Sequence, residues 1–415
     1  MNTKYIHIGK STILWEKASF SRVFKFLKNN SLSRAELSDG NGNVKNIHYG
    51  DILIKFSECL YTDEGNNIPY IINDNIAYKL LKLSPLINGD IVFADAAEDN
   101  TVGKCIEIIT HNNTDLVAGL HTIPCRPTIK FAEGFLGYYL NSKTYHNQLL
   151  QYIQGTKISS ISKKSICQTI ISYPSEIINQ QKIASYFQSL DSLIQSTSKK
   201  LASLKQIKAA SLQSMFPQEG ETVPKVRFKG FEGEWDFVTA GEVFRTTNVR
   251  NRPDLPVLSA TQDKGMVKRS DIGYQVFHDK SNETTYKHIL PGQFIIHLRS
   301  FQGGFAHSNI EGIVSPAYTV MEFKNKEFHY DYFWKYIFTS KEFIKRLELI
   351  TYGIRDGRTI SFDEFKEMDF FIPSKLEQQK ITSYFCNLDK QISLQSQRLE
   401  KLKQIKAACL DKMFV

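Results

Sequence analysis

Apolar residues recur at alternating spacings of three and four positions in two long segments of the chain. The repeat runs from Phe187 to Met215 in the first segment and from Phe385 to Met413 in the second, and neither run contains Pro or Gly. This heptad pattern is typical of a coiled coil, and it predicts two helices of about 35 residues, each roughly 50 Å long. The residues expected to pair the helices are Phe187, Leu190, Ile194, Leu201, Leu204, Phe385, Leu388, Ile392, Leu399 and Leu402.

Polar residues interrupt this apolar seam at matching places in the two segments. Thr197 and Lys208 do so in the first segment, and Gln395 and Lys406 do so in the second. Polar seam residues can select the register of a helix pair, but they leave both parallel and antiparallel pairing open. The alternative is an ordinary core helix in each of two domains. The length favours pairing, because so long a helix cannot bury its apolar stripe on one small domain.

The two segments are copies of each other. Residues 180–216 align without a gap on residues 378–414, and residues 204–210 are identical to residues 402–408. Chance does not produce such an alignment, so the chain is a tandem duplication.

The sequence ahead of each copied helix differs between the two halves. Residues 25–115 and 245–312 show little mutual resemblance, and residues 217–234 read as an extended connector with two prolines. Short apolar runs bounded by Gly, Asp or Pro predict strands at 50–56, 89–95, 104–109, 256–260, 292–298 and 313–323. Longer amphipathic runs predict helices at 135–153 and 330–350. Each half is therefore a variable mixed α/β body followed by a preserved long helix.

Composition narrows the class of protein only modestly. The 415 residues allow two ordinary domains, and the net charge of +9 is a mild bias toward polyanions such as nucleic acid. No apolar signal core or membrane span is visible, so we expect a soluble, cytoplasmic protein without membrane contact. The six cysteines show no zinc-binding spacing and read as reduced packing thiols.

The sequence lacks the motifs of the common catalytic centres. It contains no phosphate-binding loop, no dinucleotide-binding glycine motif, no base-holding motif of an amino-methyltransferase and no nucleophile elbow. Glu364 and Lys366 match the E-x-K fragment found in many nucleases, but a lone fragment of this kind is common. We therefore expect no catalytic residue, no metal site and no cofactor bound by this chain.

Glycine-rich loops of the second half carry side chains suited to DNA. The stretches "HLRSFQGGFAHS" (297–308) and "TYGIRDGRTIS" (351–361) place Arg, Gln, His and Tyr beside glycines that allow close approach to a duplex. Arg recognises guanine and Gln recognises adenine in the major groove. Taken singly, each such residue reads more simply as a solvated surface side chain. The candidate DNA-binding residues of both halves are Lys55, Lys104, His121, Arg126, Lys157, Arg299, Gln302, His307, Tyr352, Arg355 and Arg358.

The chain resembles the specificity subunit of type I restriction–modification systems. The resemblance lies in "VRFKGFEGEW" (226–235), "GIVSPAYTV" (312–320) and two repeated motifs, Q-Q-K-I-x-S-Y-F-x-x-L-D and L-K-Q-I-K-A-A, and it extends over essentially the whole chain. Members often carry the R-F-x-G-F leader before both domains. Only "STILWEK" (11–17) precedes the first domain here, which leaves its front edge less defined.

The resemblance implies an α+β fold with two mixed α/β target recognition domains in tandem repeat, joined by two long helices that pair as an antiparallel coiled coil. It implies a non-catalytic reader of bipartite double-stranded DNA, with the helices setting the gap between the half-sites. It also implies two methyltransferase subunits that carry S-adenosylmethionine, and restriction subunits that carry ATP and Mg.

We expect the following domain boundaries, and two other interpretations of the sequence are weighed against this one. The boundaries are 1–174 and 235–373 for the recognition domains, 175–216 and 374–415 for the long helices, and 217–234 for the linker. One rival is a coiled-coil scaffold that joins two protein-binding domains without recognising DNA. The other is a nuclease centred on Glu364 and Lys366.

Overall fold

The chain forms two compact units in a computed structural model. The structure describes residues 4–8, 11–62, 67–112, 114–155, 157–218, 220–261, 264–272, 280–297, 304–350 and 360–414. The first unit comprises Met1–Ser198 together with Gln397–Val415, and the second comprises Lys199–Ser396. Each unit therefore contains one variable body, the adjoining part of its own long helix and the distal part of the other.

The first unit is built on two larger sheets and two small ones. The five-stranded sheet has the order Phe24–Phe26, Thr122–Pro127, Ile91–Ala94, Cys105–Ile109, Cys59–Tyr61. The four-stranded sheet has the order Leu116–Ala118, Lys45–Ile47, Tyr70–Ile71, Leu37–Ser38. The small sheets are Lys4–Ile8 with Ser11–Ser19 and Ile170–Pro174, and Ser159–Ser160 with Ala96–Ala97. The short helices are Phe20–Val23, Tyr49–Ile54, Asp74–Leu83, Phe135–Leu140, Lys143–Leu150 and Lys163–Cys167, with a 3₁₀ turn at Arg34–Glu36.

The second unit has a different sheet order and, within its described residues, fewer strands. Its four-stranded antiparallel sheet has the order Phe244–Thr247, Thr319–Phe323, Phe294–Ile296, Phe305–His307. Three strand pairs accompany it: Asp236–Thr239 with Asp369–Ile372, Leu258–Thr261 with Gly265–Lys268, and Lys287–Ile289 with Gly312–Val314. Its short helices are Ala240–Val243, Asp331–Phe338, Lys341–Ile350 and Phe362–Phe365, with 3₁₀ turns at Arg269–Asp271 and Lys280–Thr285.

One predicted strand is wrong. Residues 50–56 fall on a helix, Tyr49–Ile54, although the run was expected to be extended. The His48 ring nitrogen Nδ1 accepts a hydrogen bond from Gly50 N at 3.2 Å, which caps the first turn. Ile52 is buried while Ile54 is 86% exposed, so the apolar residues do not alternate as a half-buried strand requires.

The two predicted amphipathic helices each fold as two. They become Phe135–Leu140 and Lys143–Leu150 in the first unit, and Asp331–Phe338 and Lys341–Ile350 in the second. A serine hydroxyl begins the second helix in each case: Ser142 accepts from Tyr145 N at 3.3 Å, and Ser340 accepts from Phe343 N at 3.2 Å. The predicted strand at 313–323 is likewise divided, with Ser315 and Pro316 between its two parts.

The long helices are Ile177–Ser214 and Lys375–Lys412, each of 38 residues. At 1.5 Å per residue each is about 57 Å long. Their apolar residues enter the cores of both units. Phe187 and Phe385, which are equivalent in the repeat, are both fully buried, as are the preceding tryptophans Trp15 and Trp235.

The six cysteines are free thiols. Cys59, Cys105 and Cys125 are buried in the first unit, and burial raises the pKa of each thiol well above its usual value. Of the helices in the described part of the chain, none combines the length and the apolar character that crossing a membrane requires.

Candidate functional site

A buried lysine fixes the end of the second long helix to the first unit. The Lys406 ammonium lies 2.6 Å from Glu58 Oε2 and 2.6 Å from Asp191 Oδ1, and its side chain is only 14% exposed. The Tyr138 hydroxyl donates to the second oxygen of Asp191 at 2.8 Å, and Lys406 lies over the Tyr138 ring. Burial would lower the pKa of Lys406, but the two carboxylates outweigh burial and raise it. We call these four residues the first junction.

The second unit repeats this arrangement with one residue fewer. Lys208 Nζ lies 2.6 Å from Asp389 Oδ1, the Tyr336 hydroxyl donates to Asp389 Oδ2 at 2.8 Å, and Lys208 lies over the Tyr336 ring. We call Lys208, Asp389 and Tyr336 the second junction. Glu58 belongs to the variable body of the first unit, and Lys208 binds a single carboxylate.

The contacts in each unit fix the direction of helix pairing. In the first unit Tyr186 contacts Cys409 and Asp191 contacts Lys406. Residue numbers therefore increase along one helix and decrease along the other, as antiparallel pairing requires. In the second unit the Tyr384 hydroxyl lies 2.9 Å from the Ser211 hydroxyl, and Asp389 contacts Lys208. The implied antiparallel pairing is therefore confirmed, and the polar seam residues Lys208 and Lys406 set its register.

The candidate DNA-binding residues of the first body are partly engaged by their own unit. Arg126 donates from Nε and from one terminal nitrogen to the two oxygens of buried Asp90, both at 2.7 Å. Lys104 Nζ donates to the carbonyls of Leu53 and Phe56, at 3.2 and 2.9 Å. These contacts occupy both side chains with carbonyl and carboxylate partners inside the body.

The other three candidates of the first body are more accessible. Lys55 pairs with Asp51 at 3.0 Å. It directly follows helix Tyr49–Ile54, close to the two carbonyls that accept hydrogen bonds from Lys104. His121 is half-exposed, its Nδ1 lies 3.1 Å from Asp95, and its ring meets the ring of Tyr49 edge-on. Lys157 is exposed. Lys55, Lys104 and His121 thus lie around one short helix, Tyr49–Ile54.

In the second body the structure describes one candidate. His307 is buried, and its Nε2 lies 2.7 Å from Asp331 Oδ2. The imidazole therefore makes an internal contact between a strand and the following helix. Five other candidates lie outside the described residues: Arg299, Gln302, Tyr352, Arg355 and Arg358.

The nuclease reading of Glu364 and Lys366 has a simpler structural explanation. The Glu364 carboxylate accepts from Ser361 N and Ser361 Oγ, while Ser361 Oγ accepts from Glu364 N, which is a capping box at the start of helix Phe362–Phe365. Lys366 pairs with Asp363 at 3.0 Å. Glu364 therefore stabilises the start of this short helix, and Lys366 directly follows its end.

The sequence model of one protein family matches both halves of the chain. The family is described as "Type I restriction modification DNA specificity domain", and the matched residues are 13–206 and 232–404. The chain belongs to this family. Each half supplies one specificity domain, and each matched region includes most of a long helix.

Solved structures agree in fold over nearly the full length. The chain is similar to the S subunit of a type I restriction-modification system from M. genitalium, with 14% identity, a TM-score of 0.58, and coverage of 99% of this chain and 98% of that one. It is also similar to a chain from a structure of type I R-M system assembly and conformational transition, with 16% identity, a TM-score of 0.52, and coverage of 96% and 97%. No curated protein sequence matches the chain.

Family membership decides among the three readings. The protein is a DNA specificity subunit of a type I restriction–modification system, and its activity is sequence recognition. The scaffold reading without DNA and the nuclease reading have no remaining support.

Sequence reasoning missed one exposed surface of the first specificity domain. Helix Asp74–Leu83 buries Ala77 and turns Asn75, Tyr78, Lys79 and Lys82 outward, and all four are exposed. Their spacing of three, four and seven residues places them on one face of the helix. The signal was present in the sequence as an amphipathic run whose polar side carries Lys79 and Lys82, with one carboxylate, Asp74, at the start of the helix.

Proposed function

We propose that each unit reads one half of a bipartite DNA site, and that the two copied helices, which the junctions pair in the same way, serve a shared protein partner. The observation that carries the proposal is the contrast between the bodies and the junctions. Within the described residues the bodies differ in sheet order, whereas the junctions repeat the same lysine, aspartate and tyrosine contacts. Different bodies fit different half-sites, and like helix pairs fit two copies of one partner.

The proposed partners are two methyltransferase subunits and the restriction subunits of the same system. In this proposal S-adenosylmethionine binds the methyltransferase, and ATP and Mg bind the restriction subunits. Support comes from the family and from the solved structure described in terms of type I complex assembly, whose fold this chain shares. The target base would be extruded into the methyltransferase pocket, because a base inside the duplex is out of reach.

For the first half-site, the proposed contact element is the exposed face of helix Asp74–Leu83. The major groove of B-DNA is wide enough for an α-helix. Asn75 offers an amide suited to adenine, and Lys79 and Lys82 offer charges suited to phosphates. Ala77 of this helix is fully buried and belongs to the same apolar cluster as Ile71 and Val117 of the four-stranded sheet.

The proposed function is tested by methylation mapping. The full chain is expressed with the methyltransferase of its own system, and methylated adenines are mapped across the host genome. We expect one split motif with a fixed gap. Replacing residues 1–175 by the corresponding body of another family member should change one half of the motif and leave the other half intact. Methylation without a motif, or a change in both halves, would contradict the proposal.

The helix face is tested by Lys79→Ala and Lys82→Ala. Each substitution should weaken binding to all DNA sequences alike and reduce the slope of log affinity against log salt by about 0.9, as expected for one lost phosphate contact. Binding is measured by fluorescence anisotropy over a salt series. Lys130→Ala, which removes another exposed lysine of the first unit, is the matched control and should leave the slope unchanged. Equal slopes for all three variants would remove this helix from the DNA contact.

A further inference from the structure

In the second unit, two cations lie side by side. Arg250 and Lys287 are cross-strand partners in an isolated antiparallel bridge. Like charges placed directly opposite each other disfavour the pairing. Burial and the neighbouring Arg250 lower the pKa of Lys287, so the repulsion is felt by the lysine.

No carboxylate offsets this pair within the described part of the chain. The Arg250 Nε donates to Asn248 Oδ1 at 2.9 Å, and Lys287 Nζ donates to the Tyr318 carbonyl at 2.6 Å. Both partners are neutral. The carboxylates close by have partners of their own, since Asp254 binds Arg252, Glu311 binds His288, and Glu283 is also engaged.

The backbone holds the Arg250 loop in one place. Val249 O accepts from His288 N at 2.7 Å, and Asn251 N donates to Thr284 O at 3.2 Å. Asn251 has φ +67°, a left-handed conformation that asparagine tolerates better than most residues. The loop is therefore tied on both sides of Arg250, and Asn248 orients the guanidinium so that its two terminal nitrogens remain for another ligand.

We propose that Arg250 and Lys287 bind a phosphate of the DNA backbone at the half-site read by the second unit. A phosphate supplies the negative charge that the pair lacks, and the planar terminal nitrogens of an arginine match two phosphate oxygens. Both side chains lie on strand and loop elements outside the two junctions. The proposal rests on the DNA-reading role proposed above, and it adds a contact that positions the second unit on the duplex.

The test compares Arg250→Gln and Lys287→Gln with the unchanged chain, reconstituted with the methyltransferase of its system. Binding to a duplex with the mapped motif and to one with a scrambled second half-site is measured over a salt series. The double substitution should reduce the salt slope by about 0.9, the value expected for one lost phosphate contact. Each single substitution should reduce the slope by a smaller amount, and every variant should weaken binding to the two duplexes by the same factor. Lys345→Ala, which removes an exposed lysine from helix Lys341–Ile350, is the matched control.

Two results would overturn the assignment. One is an unchanged salt slope in the Arg250→Gln variant. Its thermal melting is compared with that of the unchanged chain, so that a folding defect is recognised separately. The other is an unchanged slope with relaxed preference at one base of the second half-site, which would make Arg250 a base reader. Failure of the proposed function is separately visible, because the unchanged complex would then bind the motif and scrambled duplexes alike.

Discussion

Replacing Lys406 by methionine should destabilise the first unit by about 3–5 kcal/mol, because breaking a buried ion pair leaves uncompensated charge. The substitution leaves Glu58 and Asp191 facing each other without a cation, and their side chains are only 15% and 28% exposed. Methionine keeps the length of the apolar stem, so the lost charge dominates the effect. Urea unfolding gives the size of the effect, and hydrogen exchange separates the two units.

Lys208→Met is the matched control in the second unit. Lys208 binds one carboxylate, Asp389, and both side chains are more exposed, at 28% and 37%. Removing it should cost about 1 kcal/mol, in the range of partly solvated pairs. Equal losses for the two variants would show that Glu58 adds nothing to the first junction.

The first junction also has a pH signature. The pKa of Lys406 is raised in the folded chain, so its contribution is fully present below the pKa of an unfolded lysine. That contribution is lost as the pH rises through the folded value. The difference between the unchanged chain and Lys406→Met should therefore shrink at strongly alkaline pH.

The second large effect is a fall in stability of the first unit by about 3 kcal/mol between pH 4 and pH 8. Its source is Glu107, a fully buried carboxyl group that accepts hydrogen bonds from Gly134 N at 2.8 Å and Gly137 N at 2.7 Å. Burial raises its pKa from 4.5 to about 7 despite these two bonds. The folded state therefore holds the proton more tightly than the unfolded state, and stability present below pH 4.5 is lost as the pH rises through 7.

Glu107→Gln isolates this contribution. The amide is uncharged at every pH and can still accept one of the two backbone hydrogen bonds, so its cost should be constant across the range. Urea unfolding at intervals from pH 4 to pH 8 should show a slope for the unchanged chain that is absent in the variant. Parallel profiles for the two proteins would mean that Glu107 titrates near its ordinary value.

The long helices were predictable because their signal is local and repeated. A heptad pattern without Pro or Gly over Phe187–Met215 and Phe385–Met413 predicted two helices of about 35 residues, and the structure has helices of 38 residues at Ile177–Ser214 and Lys375–Lys412. The strand predicted at 50–56 is wrong because its signal is short and does not recur elsewhere in the chain. Seven residues are too few to separate a strand from a buried helical turn, and the cap from His48 decides the outcome.

Partners distant in sequence were not predictable. Arg126 and His307 stay candidate DNA contacts, but their carboxylate partners, Asp90 and Asp331, lie 36 and 24 residues away in the sequence. A single sequence carries no signal for such pairing. The junctions did leave a trace, since Lys208 in the mainly apolar seam and Asp191 beside it recur as Lys406 and Asp389. Charged residues copied together inside a seam are a sign that they bind each other.

Glu58 gives the first junction a contact to the part of the chain that differs between the two halves. Lys406 lies in the second copy of the long helix, whereas its second carboxylate, Glu58, comes from the first body. Grafts that exchange bodies to make new specificities will therefore fold unequally well. A donor body with an acidic residue at the position of Glu58 should give a graft as stable as its parents. A donor body without one leaves Lys406 with Asp191 alone, and that graft should be less stable than either parent.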